Sequence, residues 1–332
     1  MSAKFDVAAI GNAIVDVIAP ADDAFLAREG MAKGAMILID EARATELYAR
    51  MAAGIEASGG SAANTVAGVA SLGGRSAYIG KVAADALGDI FAHDIRATSA
   101  QFTTAPLRDG PATARCLINV TPDGQRTMST FLGACVTLAP ADVEPSIIEA
   151  AHVVYLEGYL FDPEGARLAF AKAAGLARAA GRKIALSLSD AFVVERHRHA
   201  LLAFIDTEVD VLLANESEIT ALFDTDDFAS AARSVASRVE IAALTRGSAG
   251  SCVVTPHATL DIPAHTPLRV TDTTGAGDQY AAGFLFGLAT GQSLEASGRL
   301  GSLAAAEVID HYGPRPERGL RDLARGRGLL AA

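Results

Sequence analysis

The chain has 332 residues, of which 50% are hydrophobic and 20% are charged, and its formal net charge is −11. That length and apolar content can fill a large core, in one large domain or in two of ordinary size. The acidic balance argues against a nucleic-acid partner, because nucleic acids bind to basic protein surfaces.

The start of the chain and its cysteines indicate where the protein resides. Residues 1–12 contain no long apolar stretch and no small-residue cleavage site, so we expect no signal peptide. The apolar run 280–290 is shorter than the ~20 residues that span a bilayer. Cys116, Cys135 and Cys252 lack metal-ligand spacing and are odd in number, and we expect them to be reduced and buried. These features predict a cytoplasmic protein with no membrane association.

Short β-branched runs alternate with alanine-rich helical stretches along most of the chain. The helical stretches include 163–180 and 217–239. This alternation predicts an α/β fold, with a mostly parallel central sheet flanked by helices and right-handed crossovers. The predicted strands are 5–10, 77–79, 153–156, 183–188, 211–213, 241–245, 252–255 and 268–270.

Two regions break that rhythm. Residues 13–19 and 35–39 are strand-like, and a helical stretch lies between them. Farther on, 112–120 and 125–132 flank a Thr-Pro-Asp-Gly sequence, which predicts a β-hairpin. We expect a small β-sheet lid over the main sheet; the alternative is that these are edge strands of the main sheet. The expected organisation is a single domain, 1–332, whose lid comes from roughly 12–19, 34–40 and 103–132.

The first predicted strand is followed by Gly-Asn-Ala-Ile-Val-Asp. In extended chain, residues two apart share a face, so Asn12, Ile14 and Asp16 point the same way. The Asp16 carboxylate can accept hydrogen bonds from two vicinal hydroxyls. The alternative is a solvent-exposed aspartate at the end of a strand.

A second motif is Gly59-Gly60-Ser-Ala-Ala-Asn64, which leads into a predicted helix. Adjacent glycines permit close approach of the backbone to a ligand, or act as a hinge. Asn64, about one turn into the helix, can donate and accept hydrogen bonds, which suits a polyol. The alternative is an ordinary turn before a helix.

The third motif is Asn215-Glu-Ser-Glu218, which has the spacing of a helix capping box. Its functional interpretation places Glu218 near a hydrated Mg²⁺ and Asn215 near phosphates. Both interpretations can hold together, because a capping side chain can also face a ligand.

The fourth motif, Thr245-Arg-Gly247-Ser-Ala-Gly250, follows the predicted strand 241–245. It suits either an ordinary hairpin turn or a loop that lies against a nucleotide.

The most informative motif is Asp272-Thr-Thr274-Gly-Ala-Gly-Asp278, between the predicted strand 268–270 and a helix. Small residues let backbone N–H groups converge at a helix N-terminus, where the dipole favours negative charge. Asp278 can accept a proton from an attacking hydroxyl while these amides stabilise a migrating phosphoryl group. The alternative is a glycine turn in which Asp278 only complements the helix dipole.

Together and in this order, the motifs resemble the ribokinase-like (PfkB) family of carbohydrate and nucleoside kinases, over nearly the whole chain. The segment 272–278 with Ala-Ala-Gly-Phe at 281–284 is similar to the family's C-terminal signature, and 59–64 is similar to its N-terminal one. The layout of residues 11–36 and His-Tyr-Gly-Pro at 311–314 resemble the adenosine kinase branch most closely.

The resemblance implies ATP-dependent phosphoryl transfer to the 5′-hydroxymethyl group of a nucleoside, adenosine above all. Asp278 would be the general base, and the amides of Gly275, Ala276 and Gly277 would form the anion hole. The lid would close over the acceptor and exclude water. The implied acceptor-binding residues are Asn12, Ile14, Asp16, Gly59, Gly60, Asn64, Cys116, Met128 and Leu132.

ATP and Mg²⁺ are the implied cofactors. Glu218 would reach Mg²⁺ through water, and Asp272 and Thr274 match positions that bind a monovalent cation such as K⁺ in some members. We expect a monomer or homodimer with no nucleic-acid partner. The implied nucleotide-binding residues are Asn215, Thr245, Gly247, Gly250, Gly275 and Gly277.

The sequence of the predicted lid indicates which kind of acceptor could bind beneath it. In a strand, Arg115 and Asn119 share one face, and Cys116 lies on the other. An adenine site requires the Cys116 face to be the inner one, with the Arg115 face solvated.

Two other functions stay open. A kinase for a free sugar such as fructose or ribose would share every catalytic residue and differ in the lid. A non-catalytic sugar- or nucleotide-binding module is a remote alternative, since such a protein would be expected to lose Asp278 or its loop. A nicotinamide-dependent dehydrogenase is disfavoured, because the first strand is not followed by the glycine triplet that holds a pyrophosphate.

Overall fold

The computed structural model describes residues 3–331. The strands, in chain order, are β1 (Phe5–Ile10), β2 (Ile14–Pro20), β3 (Met36–Leu38), β4 (Ile55–Gly59), β5 (Ser76–Ile79), β6 (Gln101–Phe102), β7 (Ala114–Val120), β8 (Arg126–Phe131), β9 (Ala151–Glu157), β10 (Lys183–Ser187), β11 (Val211–Asn215), β12 (Ile241–Thr245), β13 (Ser251–Val254) and β14 (Thr259–Ile262). The α-helices are α1 (Asp23–Arg28), α2 (Glu41–Arg50), α3 (Ser61–Ser71), α4 (Ala86–Ala97), α5 (Pro145–Ile148), α6 (Glu164–Ala179), α7 (Ala191–Glu208), α8 (Glu216–Phe223), α9 (Phe228–Ala236), α10 (Ala276–Ala289), α11 (Leu294–Ile309) and α12 (Leu320–Gly326).

The main sheet has nine strands in the order β14-β13-β12-β11-β10-β9-β1-β5-β6. All pairs from β12 to β6 are parallel, and β13 and β14 add an antiparallel edge. Every residue of β1 is buried, as expected for a parallel strand covered on both faces. The predicted α/β fold with a mostly parallel sheet is confirmed.

Helices cover the main sheet on both sides and form two hydrophobic cores. One core contains buried residues of α6, α7, α8 and α9, including Phe170 and Leu201. The other contains residues of α3, α4, α10 and α11, including Phe91 and Phe284. This layering brings the N-termini of α3 and α10 to the same side of the sheet, where β1 and β9 end.

A second sheet, here called the lid sheet, has the order β3-β8-β7-β2-β4. Its β7–β8 pair is the predicted antiparallel hairpin, so the alternative of edge strands in the main sheet is wrong. β4 lies outside the three segments from which we predicted the lid. Within the described residues, 103–113 add no strand to this sheet. Residues 1, 2 and 332 of the predicted domain lie outside the described residues, and the single-domain organisation stays a prediction.

Two predicted elements are wrong. The segment 217–239 is not one helix but α8 and α9, because Asp224 adopts a left-handed conformation (φ 52°) that ends α8 and Asp227 caps α9. The segment 268–270 is not a strand: Leu268 and Val270 are 83% and 75% exposed. There the chain bonds to the end of α11 instead, with Arg269 N donating to Asp310 Oδ1 at 3.0 Å.

The structure also bears on the expectations about the cysteines and about membrane-spanning helices. Cys116, Cys135 and Cys252 are free and buried, as predicted. None of the helices within residues 3–331 combines the length and apolar character needed to cross a membrane.

Candidate active site

Three cavities surround the first turn of α10. The lid cavity, of about 570 Å³, lies between the lid sheet and the main sheet. The loop cavity, of about 460 Å³, lies between the β12–β13 turn, the segment 264–273 and α11. A connecting cavity of about 90 Å³ shares Ser61, Ser189 and Asp278 with the first and Thr245, Gly277 and Tyr280 with the second. Asp278 therefore lies where two ligand-sized spaces meet.

Asp278 is held by hydrogen bonds from the start of α3. Its Oδ1 accepts from Ser61 Oγ at 2.6 Å, and its Oδ2 accepts from Asn64 Nδ2 at 3.0 Å. Burial raises the pKa of this carboxyl, and the two hydrogen bonds oppose that shift. The carboxylate is thus fixed in position and made more basic, as a general base requires.

Gly59 and Gly60 permit the lid sheet to approach α3 closely. A Cβ at Gly59 would overlap the Asp16 carboxylate, and Gly60 (φ 95°) would place one against the Asn12 carbonyl. Gly60 therefore has to be glycine, whereas a side chain at Gly59 would have to displace the Asp16 carboxylate. Together the two glycines leave room for β2 beside α3 at the floor of the lid cavity. Gly60 lines the cavity and Gly59 lies beside it.

Glu157, at the end of β9, completes this floor and was missed from the sequence. Its Oε1 accepts from Asn12 Nδ2 at 2.8 Å, and its Oε2 accepts from the amide of Ala62 at 2.9 Å. Burial raises its pKa to about 7, against the hydrogen bonds from Ala62 and Asn12. A signal existed: a lone acidic residue ends the apolar strand 153–156, and the carboxyl ends of parallel strands form binding sites.

Asp16 projects from β2 into the lid cavity together with Asn12 and Ile14. Burial raises its pKa to about 6, although the nearby charges of Arg315 and Arg126 lower it. The structure thus brings the three residues of the first motif together, as their alternation predicts. The alternative of a solvent-exposed strand-end aspartate is wrong for Asp16.

The inner face of the lid sheet carries Cys116, Met128 and Thr130, which line the lid cavity with Leu132. Arg115 lies on the opposite face, where its Nη2 donates to Thr45 Oγ1 of α2 at 2.7 Å. We expected that face to be solvated, and this expectation is wrong. Helices α1 and α2 pack on it, and Asn119 is fully buried. The Cys116 face is nevertheless the inner one.

The predicted capping box at the start of α8 is present. Glu218 N donates to Asn215 Oδ1 at 2.9 Å, and Asn215 N donates to Glu218 Oε2 at 3.0 Å. Both residues also line the connecting cavity. Burial raises the pKa of Glu218 to about 7. The structural and functional interpretations of this motif therefore remain compatible.

Whether the site can hold Mg²⁺ depends on the carboxylate of Glu218. Within residues 3–331 no group of three or more acidic, histidine or cysteine side chains forms a metal site. Mg²⁺ is commonly held by one or two carboxylates together with phosphates and water. Each Glu218 oxygen keeps a second acceptor position for such a water, so the residues fit a hydrated ion bound to ATP.

Thr245, Gly247 and Gly250 line the loop cavity. They form the turn between the antiparallel strands β12 and β13, so the motif is both a hairpin turn and a cavity wall. Ala264, Pro267, Val270, Ala305, Ala306 and Ile309 make the other walls largely apolar. Such a pocket suits a flat heterocycle.

The predicted anion hole at the start of α10 stays a prediction, and the structure shows where its three residues lie. Gly275 caps α10 in a left-handed conformation (φ 79°), and Gly275, Ala276 and Gly277 all line the cavities. The amide of Ala276 donates to the carbonyl of Thr273 at 3.2 Å. Gly275 and Gly277 are therefore better placed than Ala276 to donate to an anion.

Asp272 and Thr274 do not fit a monovalent cation in this arrangement. Asp272 Oδ1 accepts from Thr274 N at 3.0 Å, and Oδ2 accepts from Gly313 N at 3.2 Å. Arg126 Nη2 of the lid sheet lies 2.8 Å from the same Oδ2, with both side chains 8% exposed. The guanidinium already balances the charge that a K⁺ ion would require.

Comparisons with known proteins agree with this geometry. The family model described as "pfkB family carbohydrate kinase" matches residues 5–318. The chain is 52% identical to a solved adenosine kinase from Sinorhizobium meliloti, covering 98% of this chain and 100% of that one with a TM-score of 0.91. It is 47% identical to a probable sugar kinase protein from Rhizobium etli CFN 42, covering 99% and 100% with a TM-score of 0.93.

The chain is also similar to a further kinase over almost its whole length. The chain is 29% identical over 333 residues to the adenosine kinase of Saccharomyces cerevisiae, covering 92% of this chain and 95% of that protein. The family model spans every motif on which the resemblance was based. The chain therefore belongs to the pfkB family of carbohydrate kinases.

Proposed function

We propose that the protein is an adenosine kinase, which transfers the γ-phosphoryl group of ATP to the 5′-hydroxymethyl group of adenosine and yields AMP and ADP. The observation that carries the proposal is the division of the lid cavity. Its floor is polar, with Asn12 and Asp16, whereas Ile14, Met128 and Leu132 line its walls. A nucleoside has the same division, with ribose hydroxyls at one end and a flat base at the other.

The residues around the connecting cavity account for the transfer. Asp278 takes the proton of the 5′-hydroxyl as its oxygen forms a bond to the γ-phosphorus. The bond from that phosphorus to the bridging oxygen of ADP breaks, and ADP leaves with the electron pair. The amides of Gly275 and Gly277 stabilise the charge on the phosphoryl oxygens. Mg²⁺ bound to ATP near Glu218 would neutralise phosphate charge.

The walls of the lid cavity favour a base over a free sugar. Met36, Leu38 and Phe192 line the mouth and are 48%, 59% and 70% exposed. Enclosing an adenine would remove this apolar surface from water, at about 25 cal/mol per Å². A hexose in the same place would leave hydroxyls unpaired, at a cost of about 1–3 kcal/mol each.

A free-sugar kinase remains the second candidate. The outer end of the lid cavity carries Asp162, Asp190 and Arg196, which would suit a polar acceptor. Asp162, however, is paired with Arg196 at 2.8 Å and with His197 at 2.7 Å. These three groups satisfy one another, and Asp190 accepts from Phe192 N at 2.7 Å as the cap of α7, so we favour the nucleoside.

The test compares kcat/KM for adenosine, fructose and ribose at matched subsaturating concentrations. We expect adenosine to be phosphorylated most efficiently. Ile14→Asp should impair adenosine far more than any sugar activity, whereas Ile14→Val, the matched control, should change little. Faster turnover of fructose or ribose by the wild type would overturn adenosine as the substrate and leave a sugar kinase.

A further inference from the structure

Ser189 has an unusual backbone conformation at the edge of the site. It lies between β10 and α7 and has φ 67°, in the left-handed region that non-glycine residues rarely adopt. Asp190, the next residue, caps α7 by accepting from the amide of Phe192 at 2.7 Å. Strained conformations of this kind persist where the surrounding structure imposes them, often at functional sites.

The hydroxyl of Ser189 is buried and has no hydrogen-bond partner among residues 3–331. The backbone amide of Ser189 is satisfied by contrast, since it donates to Ser187 Oγ at 3.2 Å. Buried hydroxyls without a partner are uncommon in folded proteins, and each one calls for an explanation. A ligand that supplies the missing acceptor is one such explanation.

The position of Ser189 indicates which ligand that is. Among the described residues, Ser61, Ser189 and Asp278 line both the lid cavity and the connecting cavity. Ser61 already donates its hydroxyl to Asp278. Ser189 thus lies at the junction through which a phosphoryl group would pass, and its closed-off hydroxyl would meet that group after rotation about the Cα–Cβ bond.

We propose that the Ser189 hydroxyl donates a hydrogen bond to a non-bridging oxygen of the phosphoryl group during its transfer. This inference rests on the proposed phosphotransfer but not on adenosine as the acceptor. Charge in such a transition state is spread over three oxygens. The α10 amides reach the group from one element, and Ser189 reaches it from the turn between β10 and α7. No bond to Ser189 forms or breaks.

The test uses Ser189→Gly and Ser189→Ala. Glycine removes the hydroxyl and suits a φ of 67°, so loss of folding is not expected. Ser99→Gly is the matched control, because Ser99 also has a positive φ (69°) but lines none of the three cavities. Loss of one oxyanion donor lowers kcat by roughly 10²–10³-fold in a preorganised site. We expect a fall of at least tenfold for both Ser189 variants, with KM little changed.

A second readout separates binding from transition-state stabilisation. Affinity for ADP with aluminium fluoride and the acceptor should fall by a similar factor, whereas affinity for ADP alone should stay the same. A wild-type kcat in Ser189→Gly, or equal losses for ADP and for the fluoride complex, would overturn the proposal. Absence of transfer by the wild type to any acceptor would instead refute the proposed phosphotransfer, and the role of Ser189 would fall with it.

Discussion

Asn64 Nδ2 donates a hydrogen bond to Asp278 Oδ2 across 3.0 Å and joins the first turns of α3 and α10. The accepting end of the same amide, Oδ1, lies 3.3 Å from Arg315 Nε. Because an amide donates only through its nitrogen, the guanidinium holds Asn64 with its NH₂ group toward Asp278. This contact stabilises the ionised carboxylate, the form that can take a proton.

Arg315 should therefore affect the site without contacting either substrate. Arg315→Met removes both the bond to Asn64 and a positive charge near Asp16. We expect kcat to fall about tenfold, since a hydrogen bond to a charged group is worth roughly 1.5–3 kcal/mol. Arg315→Lys keeps the charge and serves as the matched variant. Equal kcat in Arg315→Met and wild type, measured at saturating substrates, would show that the amide needs no such support.

Acceptor binding should weaken in acid because of Asp16. Burial raises its pKa to about 6, so the carboxylate is protonated as the pH falls below that value. A protonated carboxyl accepts fewer hydroxyl hydrogen bonds, and binding should decline by up to about tenfold per pH unit. Titration of adenosine binding from pH 8 to pH 5 measures this, with Asp16→Asn as the control that binds weakly at every pH.

The same carboxyl affects stability with the opposite sense. Because its folded-state pKa lies above the ordinary value of 3.8, its contribution to stability is present below about pH 4 and is lost as the pH rises through about 6. Denaturant unfolding should show this dependence in the wild type and less of it in Asp16→Asn. If adenosine binding weakened equally at low pH in the wild type and in Asp16→Asn, that result would contradict the role of Asp16.

Substitution of Glu218 distinguishes its role in capping α8 from a role in binding Mg²⁺. Both its oxygens accept from Asn215, at 3.0 Å from the amide N and 2.6 Å from Nδ2, so Glu218→Gln loses one of these bonds but keeps a residue suited to a capping box. We expect lower kcat and a higher Mg²⁺ concentration for half-maximal rate, because the charge is lost. Thermal unfolding of the same variant reports the cap alone. Unchanged Mg²⁺ dependence would leave Glu218 with the structural role only.

Local sequence patterns were enough to predict much of this site. Alternation in the first motif placed Asn12 and Asp16 on one face, and glycine spacing placed Asp278 at a helix start. Glu157 was missed although its place at the end of a buried strand was a local signal, whereas Arg315 and Ser189 have no such signal in the sequence. Arg315, for example, meets Asn64 across 251 positions. No local pattern reports such contacts.

The incorrect predictions have a similar origin. The segment 268–270 contains Leu and Val, but within residues 3–331 no strand pairs with it, and Arg269 N bonds to Asp310 at the end of α11 instead. β4 was overlooked because its Glu-Ala-Ser-Gly sequence has weak strand propensity, and its pairing with β2 comes from the fit of Gly59 against Asp16. Tertiary packing decided both segments.

The central claim is that Asp278 takes the proton of the adenosine 5′-hydroxyl as the γ-phosphoryl group is transferred. The most direct measurement follows labelled phosphoryl from ATP into AMP, for wild type and Asp278→Asn, with ATP binding measured in parallel. We predict labelled AMP from the wild type, a rate lower by roughly 10²–10⁴-fold in the variant, and equal ATP affinity. Near-native transfer by Asp278→Asn, or no labelled AMP from the wild type, would contradict the account.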